Sequence, residues 1–120
     1  MIWFMSKRFW KLFVEDILES ITWIENYTGN MDFEDFRADR KTIDAVVRNF
    51  EIIGEASKSI PDDIKKKYQN VDWQGIIGLR NRIAHEYFGI STEIIWHIIK
   101  EELPPLKPIM QQILENEKEF

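Results

Sequence analysis

The amino-acid sequence predicts an all-α protein, an up-and-down bundle of four main helices joined by short helical pieces. Apolar residues recur at intervals of three and four positions, which is the spacing of one helical face. No segment shows the period-two alternation, bounded by turn residues, that marks a β-strand. A chain of 120 residues has room for one hydrophobic core, so we expect a single domain over residues 1–120.

The first long helix is predicted over residues 6–27. Its apolar stripe comprises Trp10, Phe13, Ile17, Ile21 and Ile24. Gly29 follows at a position suited to a left-handed helix end. The aromatic residues of this helix are interpreted as core rather than as a base-stacking surface; they are Phe9, Trp10, Phe13 and Trp23. Residues 1–5 are expected to be a disordered or upstream-start extension, with Met5 as another candidate initiator.

The second long helix is predicted over residues 39–57, after a short helical turn over residues 32–36 that Asp32 caps. This helix is apolar on two sides. One stripe comprises Ile43, Val46, Val47, Phe50, Ile53 and Gly54, and the other comprises Ala45, Ile52 and Ala56. Such a helix is buried between neighbours, either in a bundle or in a bundle plus a subunit interface, and its small residues permit close contact. We therefore expect a homodimer.

The second half of the chain is predicted to hold the other two main helices. Pro61 ends the second helix, and a brief helical piece follows over residues 62–68. The third helix begins at a cap, Asp72, and ends at Gly89. Ser91 caps the last helix, in which four isoleucines pack inward: Ile94, Ile95, Ile98 and Ile99. Pro104, Pro105 and Pro108 predict a kink or restart, then helix over residues 109–114 and a frayed tail over residues 115–120.

Composition excludes several classes of function. The chain has no cysteine, and its two histidines lack a metal-ligand spacing, so we expect neither a disulfide framework nor a zinc site. The glycine-rich nucleotide-cofactor patterns are absent, so no cofactor is expected. No apolar run approaches the roughly 20 residues that span a bilayer, so we expect a cytoplasmic protein without a membrane partner.

The net charge of −5 disfavours broad, non-specific binding to long nucleic acid. Basic residues nevertheless cluster in the middle of the chain, and the sequence leaves room for a local basic patch there. The cluster comprises Arg40, Lys41, Arg48, Lys65, Lys66, Lys67, Arg80 and Arg82.

The third main helix carries the residues of chemical interest. Its apolar stripe, expected to face the core, comprises Trp73, Ile76, Ile77, Ile83, Ala84 and Tyr87. Arg80 stands where this pattern calls for a leucine, and a charge at such a position is either paired or placed on a functional surface. A polar row lies beside the stripe and comprises Gln74, Gly78, Asn81 and His85. Gly78 would let another backbone come close to this row.

The spacing Arg80-x4-His85-x-Tyr87 resembles the R-x4-H-x-Y motif of the HEPN (higher eukaryotes and prokaryotes nucleotide-binding) superfamily. The resemblance is closest to the HepT-like toxin branch. Asn81 also fits, because a polar residue after the arginine is usual in that superfamily. The likeness includes residues 39–42, 48–56, 73–82 and 87–89, and it covers roughly residues 6–114.

The resemblance implies a homodimeric, metal-independent endoribonuclease that is the toxin component of a type II toxin–antitoxin pair. It implies that Arg80 and His85 are catalytic residues in the dimer cleft, with Asn81 in a supporting role. It also implies that a cognate antitoxin, a minimal nucleotidyltransferase, attaches AMP to Tyr87 and thereby silences cleavage of the RNA substrate.

The residue types suit that chemistry. Histidine moves protons near neutral pH, and the planar fork of arginine matches phosphate oxygens. His85 follows Arg80 by five positions, so at about 100° per residue the two side chains diverge by roughly 140° on a straight helix. A helix end near His85, or a two-fold axis that joins two such helices, would bring these groups to one phosphate. Tyr87 follows Arg80 by nearly two turns, so the two side chains are expected to project on the same side.

Two other interpretations remain open. A non-catalytic nucleotide-binding module, acting as an accessory subunit of a nucleotidyltransferase, would share the fold; an intact His85 favours the enzyme. A purely structural dimeric bundle would use the polar row only to fix its register. Taken singly, Arg80 is interpreted as a paired structural arginine, His85 as a helix-end residue and Tyr87 as a packing residue, so only their combination predicts a function.

Overall fold

The computed structural model describes residues 2–87 and 91–117, with side chains over residues 10–83 and 91–117. All regular structure within these ranges is helical, which confirms the predicted all-α class. The helices are α1 (Ile2–Thr28), α2 (Phe33–Arg37), α3 (Arg40–Lys58), α4 (Asp62–Lys67), α5 (Trp73–Ile77), α6 (Leu79–Tyr87), α7 (Thr92–His97) and α8 (Leu103–Asn116). A π-helical segment, Ile98–Glu102, joins α7 to α8.

The four main members of the bundle are α1, α3, the consecutive pair α5–α6, and the run from α7 to α8. Helices α1 and α3 pack along each other, and α8 lies against α1. Helices α5 and α6 both pack on α3. The 27 residues of α1 extend about 40 Å at 1.5 Å per residue, which accounts for most of the 47 Å long axis. Within the described ranges, no helix is both long and apolar enough to cross a membrane.

The core follows the predicted apolar stripes closely. Ile17, Ile21 and Ile24 of α1 are fully buried, as are Phe50 and Ile53 of α3. Burial of a side chain of this size contributes about 1.5–3 kcal/mol before the entropy cost of ordering it. The local 3.6-residue period therefore identified the residues that hold α1 against α3.

Trp23 is an exception, because its expected place in the core is wrong. Its side chain is 46% exposed, and it stacks on Tyr27 with ring centroids 6.0 Å apart and an interplanar angle of 22°. Position 23 projects from the side of α1 opposite the buried isoleucines, so stacking on a neighbour one turn away removes part of its ring from water. The side chain of Phe9 lies outside the described residues.

Aspartate side chains cap the starts of α2 and α3, and of these the Asp32 cap was predicted. Asp32 and Asp35 form a capping box on α2, in which each carboxylate accepts from the backbone N–H of the other residue, at 2.8 and 3.2 Å. Asp39 caps α3 by accepting from the N–H of Thr42 at 3.1 Å, and the hydrogen bonds from Thr42 lower the pKa of the Asp39 carboxyl. Each such cap typically stabilises a helix by about 1 kcal/mol.

The last helix restarts earlier than the prolines suggested. The prediction placed renewed helix at residue 109, whereas α8 begins at Leu103. The i-to-i+5 bond from the Leu103 N–H to the carbonyl of Ile98 marks a widened turn before the prolines. Pro104 and Pro105 then fall in the first turn of α8, after the widened turn, where proline is tolerated.

Two predicted details at the helix ends differ from the structure. Ser91 occupies the N-cap position of α7, but its hydroxyl donates to the carboxylate of Glu93 at 3.2 Å rather than capping the backbone. Helix α8 continues through Asn116, past residue 115 where fraying was expected to begin. Glu117 then accepts from Lys67 at 2.7 Å and from the Tyr68 hydroxyl at 2.8 Å, which ties the end of α8 to α4.

Candidate active site

The segment that carries the motif is two helices rather than the single predicted helix. Asp72 caps the first, α5, by accepting from the N–H of Gly75 at 3.0 Å, as predicted. Gly78 ends α5 with φ −79° and ψ 0°, so its ψ lies about 40° from the helical value. Helix α6 follows at once, because the Gly78 carbonyl accepts from the N–H of Arg82 at 2.9 Å. The predicted end at Gly89 lies outside the described residues.

Arg80 lies beside the buried face of α6 rather than within it. Among the described side chains of α6, Ile83 of the predicted core stripe is buried at 1% exposed, and Leu79, which the prediction omitted, is buried at 3%. Ile76, Leu79 and Ile83 lie at i, i+3 and i+7, which is one helical face, and Arg80 is offset from the centre of that face. The side chain of Arg80 is accordingly 58% exposed.

Arg80 is paired as well as exposed. Its Nη1 donates to Oε2 of Glu55 on α3 at 3.1 Å, and the Glu55 side chain is 57% exposed. An ion pair this open to water contributes only about 0.2–1 kcal/mol. The contact therefore orients the guanidinium toward α3 without preventing it from binding another anion.

Gly54 lets α5 and α6 come this close to α3. A Cβ at Gly54 would lie 3.3 Å from the carbonyl oxygen of Ile76, 3.4 Å from that of Ile77 and 3.8 Å from the backbone nitrogen of Arg80. The sequence had suggested that the small residues of α3 permit close helix contact, and Gly54 does so at the motif segment. Within the described protomer, a Cβ at Gly78 would approach only carbonyls of α5.

Arg82 lies on the opposite side of α6. Its Nη1 and Nη2 donate to the two carboxylate oxygens of Glu102, in the π-helical segment, at 3.3 and 3.5 Å. Two positions along a helix correspond to a rotation of about 200°, so Arg80 and Arg82 contact different neighbours. Sequence reasoning had placed Arg82 only in a basic cluster, since its partner is 20 residues away along the chain.

Four of the eight basic residues in the predicted patch form ion pairs within the described part of the chain. Arg40 bonds to Asp44, Lys67 to Glu117, Arg80 to Glu55 and Arg82 to Glu102. A cluster of positive charge in the sequence has therefore become a set of separate pairs on several faces. Hydrogen bonding to Glu117 raises the pKa of Lys67.

A groove of about 490 Å³ opens beside Arg80, between α1, α3 and α6. Its lining residues are Phe13, Asp16, Arg48, Glu51, Ile52, Glu55, Ala56, Ser59 and Arg80. The floor is partly apolar, and the rim holds two guanidinium groups and three carboxylates. A ligand in this groove would meet Arg80 from the solvent side.

The remaining predicted site residues are only partly described. Asn81 is exposed, beside Arg80. Helix α6 continues through Tyr87, so the helical registers assumed for His85 and Tyr87 apply to the backbone. The side chains of both residues lie outside the described ones, and the predicted placements of the imidazole and the phenol relative to Arg80 stay predictions.

Comparison with known proteins identifies the family. The model of the family described as "Ribonuclease HepT-like" matches residues 17–113. The chain belongs to the HepT-like ribonuclease family. It is 45% identical over 101 residues to a probable ribonuclease HepT of Thermococcus cleftensis, covering 84% of this chain and 92% of that protein.

Two relatives with the name putative RNase come from other organisms. A putative RNase of Methanocaldococcus jannaschii is 42% identical over 116 residues, with 96% of each chain covered. A putative RNase of Caldanaerobacter subterraneus is 39% identical over 106 residues, covering 88% of this chain and 95% of the relative. No solved structure gives a significant match. The HEPN resemblance found in the sequence is thus confirmed at the level of the family.

Proposed function

We propose that this chain is a metal-independent endoribonuclease that acts through Arg80 and His85 in the cleft of a homodimer. The observation that carries the proposal is its membership of the HepT-like ribonuclease family together with an intact Arg-x4-His-x-Tyr on α6. We further propose that it is the toxin of a type II toxin–antitoxin pair.

The assigned roles follow from the chemistry of RNA cleavage. The 2′-hydroxyl loses a proton as its oxygen attacks the adjacent phosphorus, and the departing 5′-oxygen gains one as its bond to phosphorus breaks. The His85 imidazole suits both proton transfers because histidine exchanges protons near neutral pH. Arg80 would stabilise the added negative charge on the phosphorus oxygens. Its exposed guanidinium, which forms a surface ion pair with Glu55, supports this role.

The cleavage assay uses mixed RNAs with EDTA present. His85→Ala and Arg80→Ala should each lower the rate by about 10² or more, the scale of losing a general base or a charge-stabilising group. His97→Ala is the matched histidine control, since His97 is 62% exposed and lies on another helix. Arg37→Ala is the matched arginine control, because Arg37 is also 58% exposed and also paired with a glutamate.

Undiminished cleavage by His85→Ala would remove His85 from the mechanism. Cleavage that requires added Mg²⁺ would contradict the metal-free scheme. If the purified wild-type protein cuts no RNA, the accessory nucleotide-binding subunit becomes the better interpretation of the fold.

We propose that Tyr87 is the point of control. A partner nucleotidyltransferase would transfer AMP from ATP to this hydroxyl, which loses its proton as pyrophosphate departs. The AMP phosphate would lie close to Arg80 in helical register and would compete with RNA for the guanidinium. Co-expression with the partner should add the mass of AMP and abolish cleavage. Tyr87→Phe should block the mass gain, whereas Tyr27→Phe, at an exposed tyrosine of α1, should not. An adduct on Tyr87 that leaves RNA cleavage unchanged would contradict the control mechanism.

A further inference from the structure

The charged residues along the groove beside Arg80 can pair with the same residues of a second copy of this chain. Along the groove side of α3, Arg48, Ile52 and Glu55 succeed one another at intervals of four and three residues. A second α3, antiparallel to the first about a two-fold axis, would place its Ile52 against Ile52. The same rotation sets each Arg48 opposite a Glu55.

We propose that a second copy of this chain docks on this groove, with the two α3 helices antiparallel about Ile52. Arg48 of each chain then binds the carboxylate of Glu55 of the partner subunit. The inference deepens the proposed function and rests on its homodimer, because it names the surface through which the two copies meet.

The chemistry of the groove favours a protein partner over RNA. Asp16, Glu51 and Glu55 bring three carboxylates to the rim against two guanidinium groups, so the groove is not a track for phosphates. Phe13 and Ile52 are partly exposed and offer apolar surface at its floor. An apolar centre flanked by charges of both signs is the composition of a specific interface between proteins.

Docking would also change the partner of Glu55. In the single protomer Glu55 holds Arg80, while Arg48 has no ion-pair partner among the described residues. Both members of the Arg80–Glu55 pair are more than half exposed, so the pair is weak and exchanges easily. When Arg48 of the partner subunit takes Glu55, the fork of Arg80 becomes free to bind a phosphate. The second copy therefore removes the carboxylate that competes with a phosphate for Arg80.

The test measures association rather than RNA cleavage, so its failure is distinguishable from failure of the ribonuclease proposal. Dimer dissociation constants are determined by sedimentation for Arg48→Glu, Glu55→Arg and the double variant. Each single variant should raise the constant by about 10² or more, since the like-charge contact occurs twice across the axis. The double variant should return it to within about tenfold of wild type, because the reversed pairs again attract.

A 1:1 mixture of the two single variants sharpens the test. Arg48→Glu paired with Glu55→Arg places opposite charges together at both contacts, so the mixture should form heterodimers although neither variant forms homodimers. Lys66→Glu and Glu101→Arg change the net charge equally at exposed positions outside the groove and should leave association unchanged. Circular dichroism shows that each variant remains helical.

Several outcomes would overturn the inference. A wild-type monomer at micromolar concentration, single variants that dimerise like wild type, or folded variants that fail to pair in the mixture would each do so. Arg80→Ala probes the exchange itself: the dimer should be unchanged or tighter, because Glu55 then has only one guanidinium to bind. A dimer weakened by Arg80→Ala would show that Glu55 does not leave Arg80.

Discussion

Gly54 sets the distance between α3 and the motif segment, and side chains of increasing size at this position test that role. An alanine Cβ would lie 3.3 and 3.4 Å from two carbonyl oxygens of α5, so α5 must retreat by a few tenths of an ångström. Replacing glycine inside a helix gains about 0.5–1 kcal/mol. The two effects oppose each other, and we expect Gly54→Ala to change the free energy of unfolding by less than about 1 kcal/mol.

Gly54→Val should behave differently. Its two additional methyl groups have no room at the contact with α5, and such overpacking costs about 1–3 kcal/mol. The free energy of unfolding is measured by denaturant titration of both variants. Lys41→Ala and Lys41→Val change an exposed position of the same helix. They give the intrinsic difference between alanine and valine in helix stability.

The contact at Gly54 also bears on function. Pushing α5 away from α3 moves the backbone of Arg80 relative to Glu55, so cleavage by Gly54→Val should fall by more than its stability loss explains. The free energies of unfolding of the valine and alanine variants are compared at positions 54 and 41. If the difference at position 54 is no larger than at position 41, Gly54 does not set the distance between α3 and α5. In that case the placement of Arg80 would need another cause.

Three further predictions concern stability. Arg80→Ala should lower the free energy of unfolding by less than about 1 kcal/mol, because its ion pair is exposed; a larger loss on denaturant titration would make Arg80 a structural residue. Met110→Ala should cost about 2–5 kcal/mol, because Met110 is fully buried, and a thermal shift no larger than that of a surface variant would contradict this. Hydrogen bonds from Lys67 and Tyr68 lower the pKa of Glu117, so its stabilisation is present above the ordinary glutamate pKa of about 4.3 and is lost as pH falls through the folded pKa. Glu117→Gln should therefore be less stable than wild type at pH 7 by about 1 kcal/mol, with the gap closing in acid; a gap independent of pH would refute the assignment.

Local chemistry explains why so much of the fold was predictable. Caps at Asp32, Asp39 and Asp72 each act over three residues, and the buried stripes of α1 and α3 follow the helical period. The caps and stripes depend on residues that are close together in the chain, so the sequence pattern predicts them. The all-α class and the main helices follow from the same short-range rules.

The errors come from single dihedral angles and from distant partners. The ψ angle at Gly78 divides the predicted third helix into α5 and α6. The π-helical turn before Pro104 lets α8 begin six residues before the predicted restart. Glu117 finds Tyr68 across 49 residues of chain, which is a tertiary contact and leaves no periodic signal.

Arg80 shows how short-range sequence patterns and contacts between distant residues combine. Sequence reasoning required that Arg80 be either paired or placed on a functional surface, as if the two were alternatives. In the structure Arg80 is paired and also exposed, because the pair with Glu55 lies in water. A buried pair would hold the guanidinium at the cost of desolvation and would resist exchange. An exposed pair orients the same guanidinium and can exchange its carboxylate for an anion that binds more strongly. If Arg80 binds a phosphate as proposed, the second arrangement serves it better.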